Sequence, residues 1–249
     1  MAYEVFAQVY DALTRNVDYP ARAAYLDRLI RRYGNGGEIV LDLACGTGSL
    51  TAELDSLGYD MIGVDKSEAM LMQAQEKNLR LGKSILYLCQ GMEELDLYGT
   101  VDAAVCMLDS VNHVTEEALL QRAFDRVALF LHPEGVFLFD VNTVYKGREI
   151  LGDNAFLYDC DEVFCAWQNR WVESTLTTQV TLDFFLPLED GSYRREGEEF
   201  EERVYPHETL EAMLAKSGLR VEAVFGEDSF APPGERDQRL IYVVKKRTD

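Results

Sequence analysis

Positive charge is scarce in this chain of 249 residues, which carries 24 Lys and Arg against 44 Asp and Glu and has a formal net charge of −20. Proteins that bind nucleic acids need basic surface to neutralise phosphates. The two basic clusters, at 28–32 and 245–247, are short. The charge balance therefore argues against DNA or RNA as a partner and is compatible with a small molecule, including a cationic one.

Long apolar runs and a secretory leader are also missing. No apolar run is long enough to cross a bilayer, and residues 1–6 contain no basic segment followed by an apolar one. We therefore expect a cytoplasmic protein with no membrane partner. The sequence leaves the oligomeric state open.

Paired cysteines are absent as well. The chain has five cysteines, an odd number, and no C-x-x-C pair. This usage is typical of reduced structural thiols rather than of a disulfide framework or a zinc site. No metal site is predicted.

A glycine loop follows a short apolar segment in residues 38–48, which read EIVLDLACGTG. Strand, glycine loop and helix in succession are typical of an α/β sheet that approaches a nucleotide-like ligand. Gly46 and Gly48 permit a sharp turn close to that ligand. Asp42 lies at the carboxyl end of the predicted strand. Because its carboxylate would face the ligand, it favours a ligand that carries an ammonium or another positive charge.

A second acid follows one βαβ step later. Residues 59–64 predict a strand that ends at Asp65. A carboxylate at this position can accept hydrogen bonds from both ribose hydroxyls of an adenosine. Two strand ends, each carrying an acid, would then point at one ligand.

Two ligands fit such a loop, a nicotinamide dinucleotide and S-adenosylmethionine. The dinucleotide fingerprint requires a third glycine where this chain has Thr51, and Asp42 would repel a pyrophosphate. S-adenosylmethionine has no phosphate but has an ammonium and a sulfonium, which suit Asp42. Two alternatives to an S-adenosylmethionine-dependent enzyme remain, an NAD(P)-binding oxidoreductase and a non-catalytic S-adenosylmethionine-binding module that regulates a partner.

Residues Val40–Gly48 and Gly63–Ser67 resemble the class I S-adenosylmethionine-dependent methyltransferases. The segments Phe6–Asp11 and Cys106–His113 are similar to the small-molecule branch of that family, so the resemblance covers nearly the whole chain. This branch includes sugar-amine N-methyltransferases of macrolide biosynthesis and bacterial methyltransferases of unassigned substrate. The resemblance implies methyl transfer from S-adenosylmethionine to a nitrogen or oxygen atom of a small molecule by in-line displacement.

The same resemblance implies the residues that hold the cofactor. Asp42 and the loop backbone would hold the methionine part, and Asp65 would hold the ribose. Many relatives have an acid after the third strand that contacts the adenine amino group, but this position is Gly91 here, so Gln90 or Glu93 would have to replace it. The remaining implied contacts are Ala44, Cys45, Gly46, Gly48, Lys66, Met70, Met92 and Met107.

Methyl transfer needs alignment and a dry cavity more than a dedicated base. His113 is a candidate base because a histidine titrates near neutral pH. Asp109 could orient an amine substrate, and Tyr10 resembles an aromatic residue that closes over the cofactor. Arg239 is interpreted either as a contact for a substrate anion or as a surface charge. The acidic run at 196–202 is predicted to be a solvated strand face.

The alternation of strands and helices predicts one α/β domain over residues 1–249, with a doubly wound, mostly parallel sheet and helices on both faces. The resemblance implies seven strands in a Rossmann-like order that ends in a hairpin. Two helices are expected within 1–33. Period-two alternation over 174–187 and a turn signal at 189–192 predict an antiparallel β insertion at 155–205 that covers the cleft. Three strands are expected in it, near 163–171, 174–187 and 193–205.

Overall fold

A computed structural model describes residues 4–247 of the chain, which form a seven-stranded sheet, a four-stranded sheet and six α-helices within that range. The helices are α1 (Glu4–Leu13), α2 (Tyr19–Tyr33), α3 (Ser49–Ser56), α4 (Glu68–Arg80), α5 (Glu117–Phe130) and α6 (His207–Lys216). The strands are β1 (Ile39–Leu43), β2 (Asp60–Asp65), β3 (Leu86–Cys89), β4 (Val101–Cys106), β5 (Leu131–Asn142), β6 (Ala155–Asp159), β7 (Phe164–Val172), β8 (Thr177–Pro187), β9 (Tyr193–Arg203), β10 (Leu219–Gly226) and β11 (Arg239–Lys246).

The seven-stranded sheet has the order β10-β11-β5-β4-β1-β2-β3. Its first five strands along the chain are parallel, and β11 runs antiparallel to both β5 and β10. The predicted α/β fold, a doubly wound and mostly parallel sheet that ends in a hairpin, is confirmed. The chain reverses its direction of winding between β1 and β4, and the carboxyl ends of these strands open the crevice in which α/β sheets bind ligands.

Both faces of this sheet are buried, because successive side chains of a strand point to opposite faces. Leu41 belongs to one apolar cluster, in which Phe139 stacks on Tyr242 with ring centroids 4.8 Å apart. Val40 belongs to the cluster on the other face, which includes Leu29 of α2. Helices on both faces therefore hold the strand ends at the crevice in fixed positions.

The antiparallel insertion is a four-stranded sheet in the order β6-β7-β8-β9. The prediction of three strands was wrong by one, because β6 was not recognised. The buried side chains of β8, Val180, Leu182 and Phe184, form one face of the sheet, and α1 packs against this face through Phe6 and Val9. Helix α1 therefore contacts both the four-stranded sheet and α4.

No helix within residues 4–247 is long and apolar enough to span a membrane. Within the same range, no group of three or more His, Cys, Asp and Glu side chains is arranged to hold a metal ion.

Candidate active site

A cavity of about 230 Å³ lies at the carboxyl ends of the parallel strands. Its walls come from the glycine loop after β1, the end of β2, the segments after β3 and β4, and helix α1. Ten of the residues predicted from the sequence line it: Tyr10, Ala44, Gly46, Asp65, Lys66, Met70, Gln90, Met92, Glu93 and His113.

A smaller cavity of about 40 Å³ adjoins the first and shares five lining residues with it: Tyr10, Ala44, Gly46, Leu108 and Ser110. Asp42, Cys45 and Met107 line this smaller cavity. The other predicted residues, Gly48, Gly91, Asp109 and Arg239, line neither cavity.

Asp65 joins the glycine loop to the start of α4. Its two carboxylate oxygens accept hydrogen bonds from the backbone N–H groups of Gly46, at 2.9 Å, and of Ser67, at 2.8 Å. Burial raises the pKa of this carboxyl group, although the backbone N–H donors act in the opposite direction. Each carboxylate oxygen has a second lone pair, so the side chain can still accept hydrogen bonds from the cavity.

Asp42 lies beneath the loop rather than in the larger cavity. Its side chain is buried and accepts a hydrogen bond of 2.6 Å from Thr51 Oγ1 of α3. Burial raises the pKa of Asp42 to about 7, and the negative charge of Asp65 adds to this effect, while the hydrogen bond from Thr51 opposes it. A positive group in the smaller cavity would face this carboxylate and favour its ionised form.

The raised pKa of Asp42 makes the stability of the protein depend on pH. Because the pKa is about 7 in the folded state and 3.8 for the unperturbed group, stability falls as the pH rises from about 4 through 7. Asp42→Asn cannot ionise and can still accept the hydrogen bond from Thr51. We therefore expect the melting temperature of Asp42→Asn, relative to the wild type, to rise between pH 5 and pH 8. Asp60→Asn, a change at an exposed acid at the start of β2, gives the baseline. If the melting temperature of Asp42→Asn, relative to the wild type, changes with pH no more than that of Asp60→Asn, the raised pKa of Asp42 is contradicted.

The glycine loop has left-handed backbone at Ala44, Gly46 and Gly48, with φ of 59°, 55° and 71°. At Gly48 an added Cβ would lie 2.4 Å from Tyr87 Oη, whereas at Gly46 it would meet no atom within 4 Å. Gly48 therefore makes room for a side chain of β3, and Gly46 faces the cavity.

Alanine substitutions at these two glycines are expected to lower the free energy of unfolding by different amounts. Gly46→Ala should lose about 1–2 kcal/mol of stability, from the left-handed backbone alone. Gly48→Ala should lose about 1–3 kcal/mol more, because the methyl group collides with Tyr87. Urea unfolding measures both values. Adding Tyr87→Phe to Gly48→Ala should restore part of the loss, and equal losses for the two glycines would contradict this explanation.

Helix α1 is fixed to the glycine loop through Asp11. This carboxylate accepts a hydrogen bond of 2.6 Å from Thr47 Oγ1 and forms an ion pair of 2.8 Å with Lys77 of α4. At its other end, the Phe6 N–H donates to Glu198 Oε1 of β9 at 3.2 Å. Sequence reasoning did not identify these contacts, because α1, α4 and β9 are far apart in the chain. They hold Tyr10 between the two cavities.

The turn after β4 is strained, and the buried carboxylate of Asp140 holds it. Leu108 and Asp109 both have left-handed backbone, with φ of 57° and 54°. Asp140 accepts hydrogen bonds from their two backbone N–H groups, at 3.0 and 2.6 Å. Since left-handed backbone is costly for such residues, these two bonds fix the turn that leads to Ser110 and His113 on the cavity wall.

Arg239 is neither a surface charge nor directed at the cavity. Its guanidinium is buried and lies 2.9 Å from both Asp140 and Asp109, so the interpretation as a surface charge was wrong. Asp109 also accepts a hydrogen bond of 2.7 Å from Asn142 Nδ2. Burial alone would raise the pKa of Asp109, but Arg239, Lys146 and the hydrogen bond from Asn142 hold it below its usual range. Asp109 is therefore a half-buried, ion-paired carboxylate next to the cavity wall.

Glu202 of β9 is buried, with a relative exposure of 6%. The predicted solvated face is wrong at this residue, although its neighbours Glu199 and Glu201 are exposed. Glu202 Oε1 lies 3.7 Å from His113 Nε2. Burial and the charge of Asp109 raise the pKa of Glu202 to about 8. Burial lowers the pKa of His113, and Asp109 partly opposes this effect.

Comparisons with known proteins identify the family. Residues 40–135 match the family model for a methyltransferase domain. The chain is 31% identical over 247 residues to a methyltransferase of Geobacillus sp. (strain WCH70), which covers 99% of this chain and 100% of that one. It is 33% identical to an S-adenosylmethionine-dependent methyltransferase of Clostridium acetobutylicum ATCC 824 with a known crystal structure, with 98% of each chain covered and a TM-score of 0.86.

The chain belongs to the S-adenosylmethionine-dependent methyltransferases. This methyltransferase is also 33% identical over 133 residues to the dTDP-3-amino-3,6-dideoxy-α-D-glucopyranose N,N-dimethyltransferase of Streptomyces fradiae, over 52% of this chain and 50% of that enzyme. The predicted family, enzyme class and cofactor are confirmed, and methyl transfer from S-adenosylmethionine is favoured over the dinucleotide-binding alternative.

Proposed function

We propose that this cytoplasmic methyltransferase methylates a nitrogen atom of a small amine that arrives as a cation. The observation that carries the proposal is His113, a base on the cavity wall that burial keeps neutral and that can therefore take a proton from an ammonium. The net charge of −20 favours the approach of a cation over that of a phosphate or carboxylate. The sugar N,N-dimethyltransferase among the relatives acts on an amine, which supports the same atom type.

The cofactor would span both cavities. The adenosine would occupy the larger cavity, with its ribose hydroxyls on Asp65 and its base near Lys66, Met70 and Met92. The methionine part would occupy the smaller cavity, where Asp42 faces its ammonium. The backbone at Ala44, Cys45 and Gly46, together with Met107, would line the path between them.

Glu93 is the residue proposed to contact the adenine amino group. Both ends of the Gln90 side-chain amide are bonded to the backbone of Asp96, at 2.9 and 3.2 Å, so this amide is already occupied. The Glu93 carboxylate lines the cavity and lies 2.8 Å from where a Cβ of Gly91 would be. Because Gly91 has no side chain, Glu93 fills the space of the acid that other family members carry there.

Methyl transfer then requires that the acceptor nitrogen is aligned with the methyl group and that the ammonium loses one proton. The nitrogen lone pair forms the new N–C bond while the C–S bond breaks and its electrons pass to sulfur, which leaves S-adenosylhomocysteine. An ammonium must first lose a proton, and His113 is a base that lines the cavity and is kept neutral by burial. Tyr10 and the 155–205 insertion, which packs on α1, would exclude water from this step.

The test is a competition between classes of acceptor. The protein is incubated with methyl-labelled S-adenosylmethionine and matched sets of aliphatic amines, amino sugars and their hydroxyl analogues, and the products are identified by mass spectrometry. We expect the label on nitrogen and a rate that falls as the pH is lowered. Label found only on the hydroxyl analogues would overturn the choice of nitrogen.

A further inference from the structure

Strand β9 sends one acidic side chain into the interior of the main domain. Glu202 Oε2 accepts a hydrogen bond from Asn142 Nδ2, at 3.3 Å, at the end of β5. The adjacent backbone is tied to the same place, because Asn112 Nδ2 donates to the Arg203 carbonyl at 2.7 Å. Glu202 is therefore held against the turn that carries His113, although this turn follows β4 of the seven-stranded sheet and Glu202 lies on a strand of the four-stranded sheet.

The same strand fixes the ring of His113. The imidazole lies against Phe200, with ring centroids 5.1 Å apart, and its Nε2 is directed towards Glu202 Oε1 at 3.7 Å. Phe200 and Glu202 are two residues apart, so they share one face of β9. A small rotation of either side chain would bring the Nε2–Oε1 pair to hydrogen-bonding distance. β9 thus supplies both the packing surface and the polar partner of the histidine.

Charged side chains on several elements act on the His113–Glu202 pair. Asp109 and Lys66 act on the His113 ring. Asp109, Lys146 and Arg239 act on the Glu202 carboxyl group. Asn142 bridges the two acids, since its Nδ2 also donates to Asp109 at 2.7 Å. Asp109 is committed to the ion pair with Arg239, whereas Glu202 is the acid that contacts the histidine.

We propose that Glu202 is the positioning residue of His113 and that the two side chains share one proton. The inference rests on the proposed function, in which His113 takes a proton from the acceptor amine. When Glu202 is ionised, as it becomes above about pH 8, and His113 receives that proton on Nδ1, the proton on Nε2 passes to the Glu202 carboxylate. The imidazole then stays neutral, and the excess proton resides on Glu202, outside the cavity. Glu202 does not touch the acceptor and acts only through His113.

The test observes the histidine directly and needs no methyl acceptor. The protein has three histidines, so nitrogen-15 spectra of the imidazoles can be assigned with His132→Asn and His207→Asn. We expect the His113 nitrogens to titrate in two steps, the upper one near pH 8, where Glu202 titrates. In Glu202→Gln the upper step should vanish, and in Glu199→Gln, which changes an exposed acid of the same strand, it should remain.

A His113 titration that is identical in the wild type and in Glu202→Gln, with both proteins folded by circular dichroism, would overturn the pairing. The affinity for S-adenosylhomocysteine should change less than twofold in Glu202→Gln. Methyl transfer to an accepted amine should fall at least tenfold, with KM little changed. If the protein methylates no amine, the imidazole spectra should still show the two-step titration of His113. A failure of the proposed function can therefore be distinguished from a failure of the His113–Glu202 pairing.

Discussion

Asp65→Ala is expected to weaken the binding of S-adenosylhomocysteine about a hundredfold or more. The carboxylate lies in the larger cavity and would accept hydrogen bonds from both ribose hydroxyls. Hydrogen bonds to a charged group contribute about 1.5–3 kcal/mol each, and about 1.4 kcal/mol corresponds to a factor of ten in affinity. The change also removes the acceptor of the Gly46 N–H, so the loop that faces the cofactor should loosen. Isothermal titration calorimetry measures the loss.

Two variants separate this effect from a general loss of structure. Asp60→Ala removes an exposed acid from the same strand and should leave the affinity within twofold of the wild type. Asp65→Asn keeps one acceptor oxygen, so it should show an intermediate affinity and lose less stability than Asp65→Ala, which loses both backbone hydrogen bonds. If Asp65→Ala binds as tightly as Asp60→Ala, the assignment of Asp65 to the ribose is wrong.

Arg239→Ala is expected to lower the free energy of unfolding by about 3–5 kcal/mol, the cost of removing one partner from a buried ion pair. Asp140 is fully buried and would keep only the 3.5 Å contact with Arg22 as an ion pair. Asp109 would lose its guanidinium partner at the same time. The strained backbone at Leu108 and Asp109 depends on Asp140, so the cavity wall should become disordered together with the loss of stability.

Urea unfolding at neutral pH measures this change. Arg236→Ala serves as the control, because Arg236 is exposed in the loop before β11. Arg239→Lys should lose an intermediate amount, since one ammonium cannot bridge two carboxylates as a planar guanidinium does. A loss below about 1 kcal/mol for Arg239→Ala, the range of an exposed pair, would contradict the buried network.

The order of the main strands could be predicted because its signals are local. The apolar run before the glycine loop and the acid that ends β2 lie within short stretches of sequence. The start of α2 is also set by neighbouring residues: Pro20 lies in the first turn of the helix, and the Asp18 side chain caps it by accepting a 2.9 Å hydrogen bond from the Ala21 N–H. β6 was missed because Phe156, Leu157 and Tyr158 are consecutive apolar residues without period-two alternation, and Leu157 remains 68% exposed.

The buried charges near the cavity could not be predicted for a different reason. Alternation along β9 shows which side chains share a face, but it does not show whether another element covers that face. Glu202 is covered by Asn142, and Arg239 by Asp109, residues that are distant from them in the sequence. A sequence rule that treats acidic runs as solvated is correct for Glu199 and Glu201 and wrong for Glu202.

The glycine loop illustrates the same limit within a motif that was recognised. Gly46 and Gly48 look equivalent in the sequence, but only Gly46 lines the cavities, and Gly48 accommodates Tyr87 of β3. The residue types of the loop indicate the class of ligand. Which of the two glycines lines the cavities and which makes room for Tyr87 depends on the position of β3, a strand that lies more than 35 residues further along the sequence.

A crystal structure of the protein with S-adenosylhomocysteine tests the central claim most directly. We predict the ribose hydroxyls on the Asp65 carboxylate, the adenine amino group on Glu93, and the amino group of the homocysteine part in the smaller cavity that Asp42 lines. The sulfur should face the part of the larger cavity that His113 lines. A ligand bound elsewhere, or a sulfur atom separated from the His113 side by the glycine loop, would contradict the account.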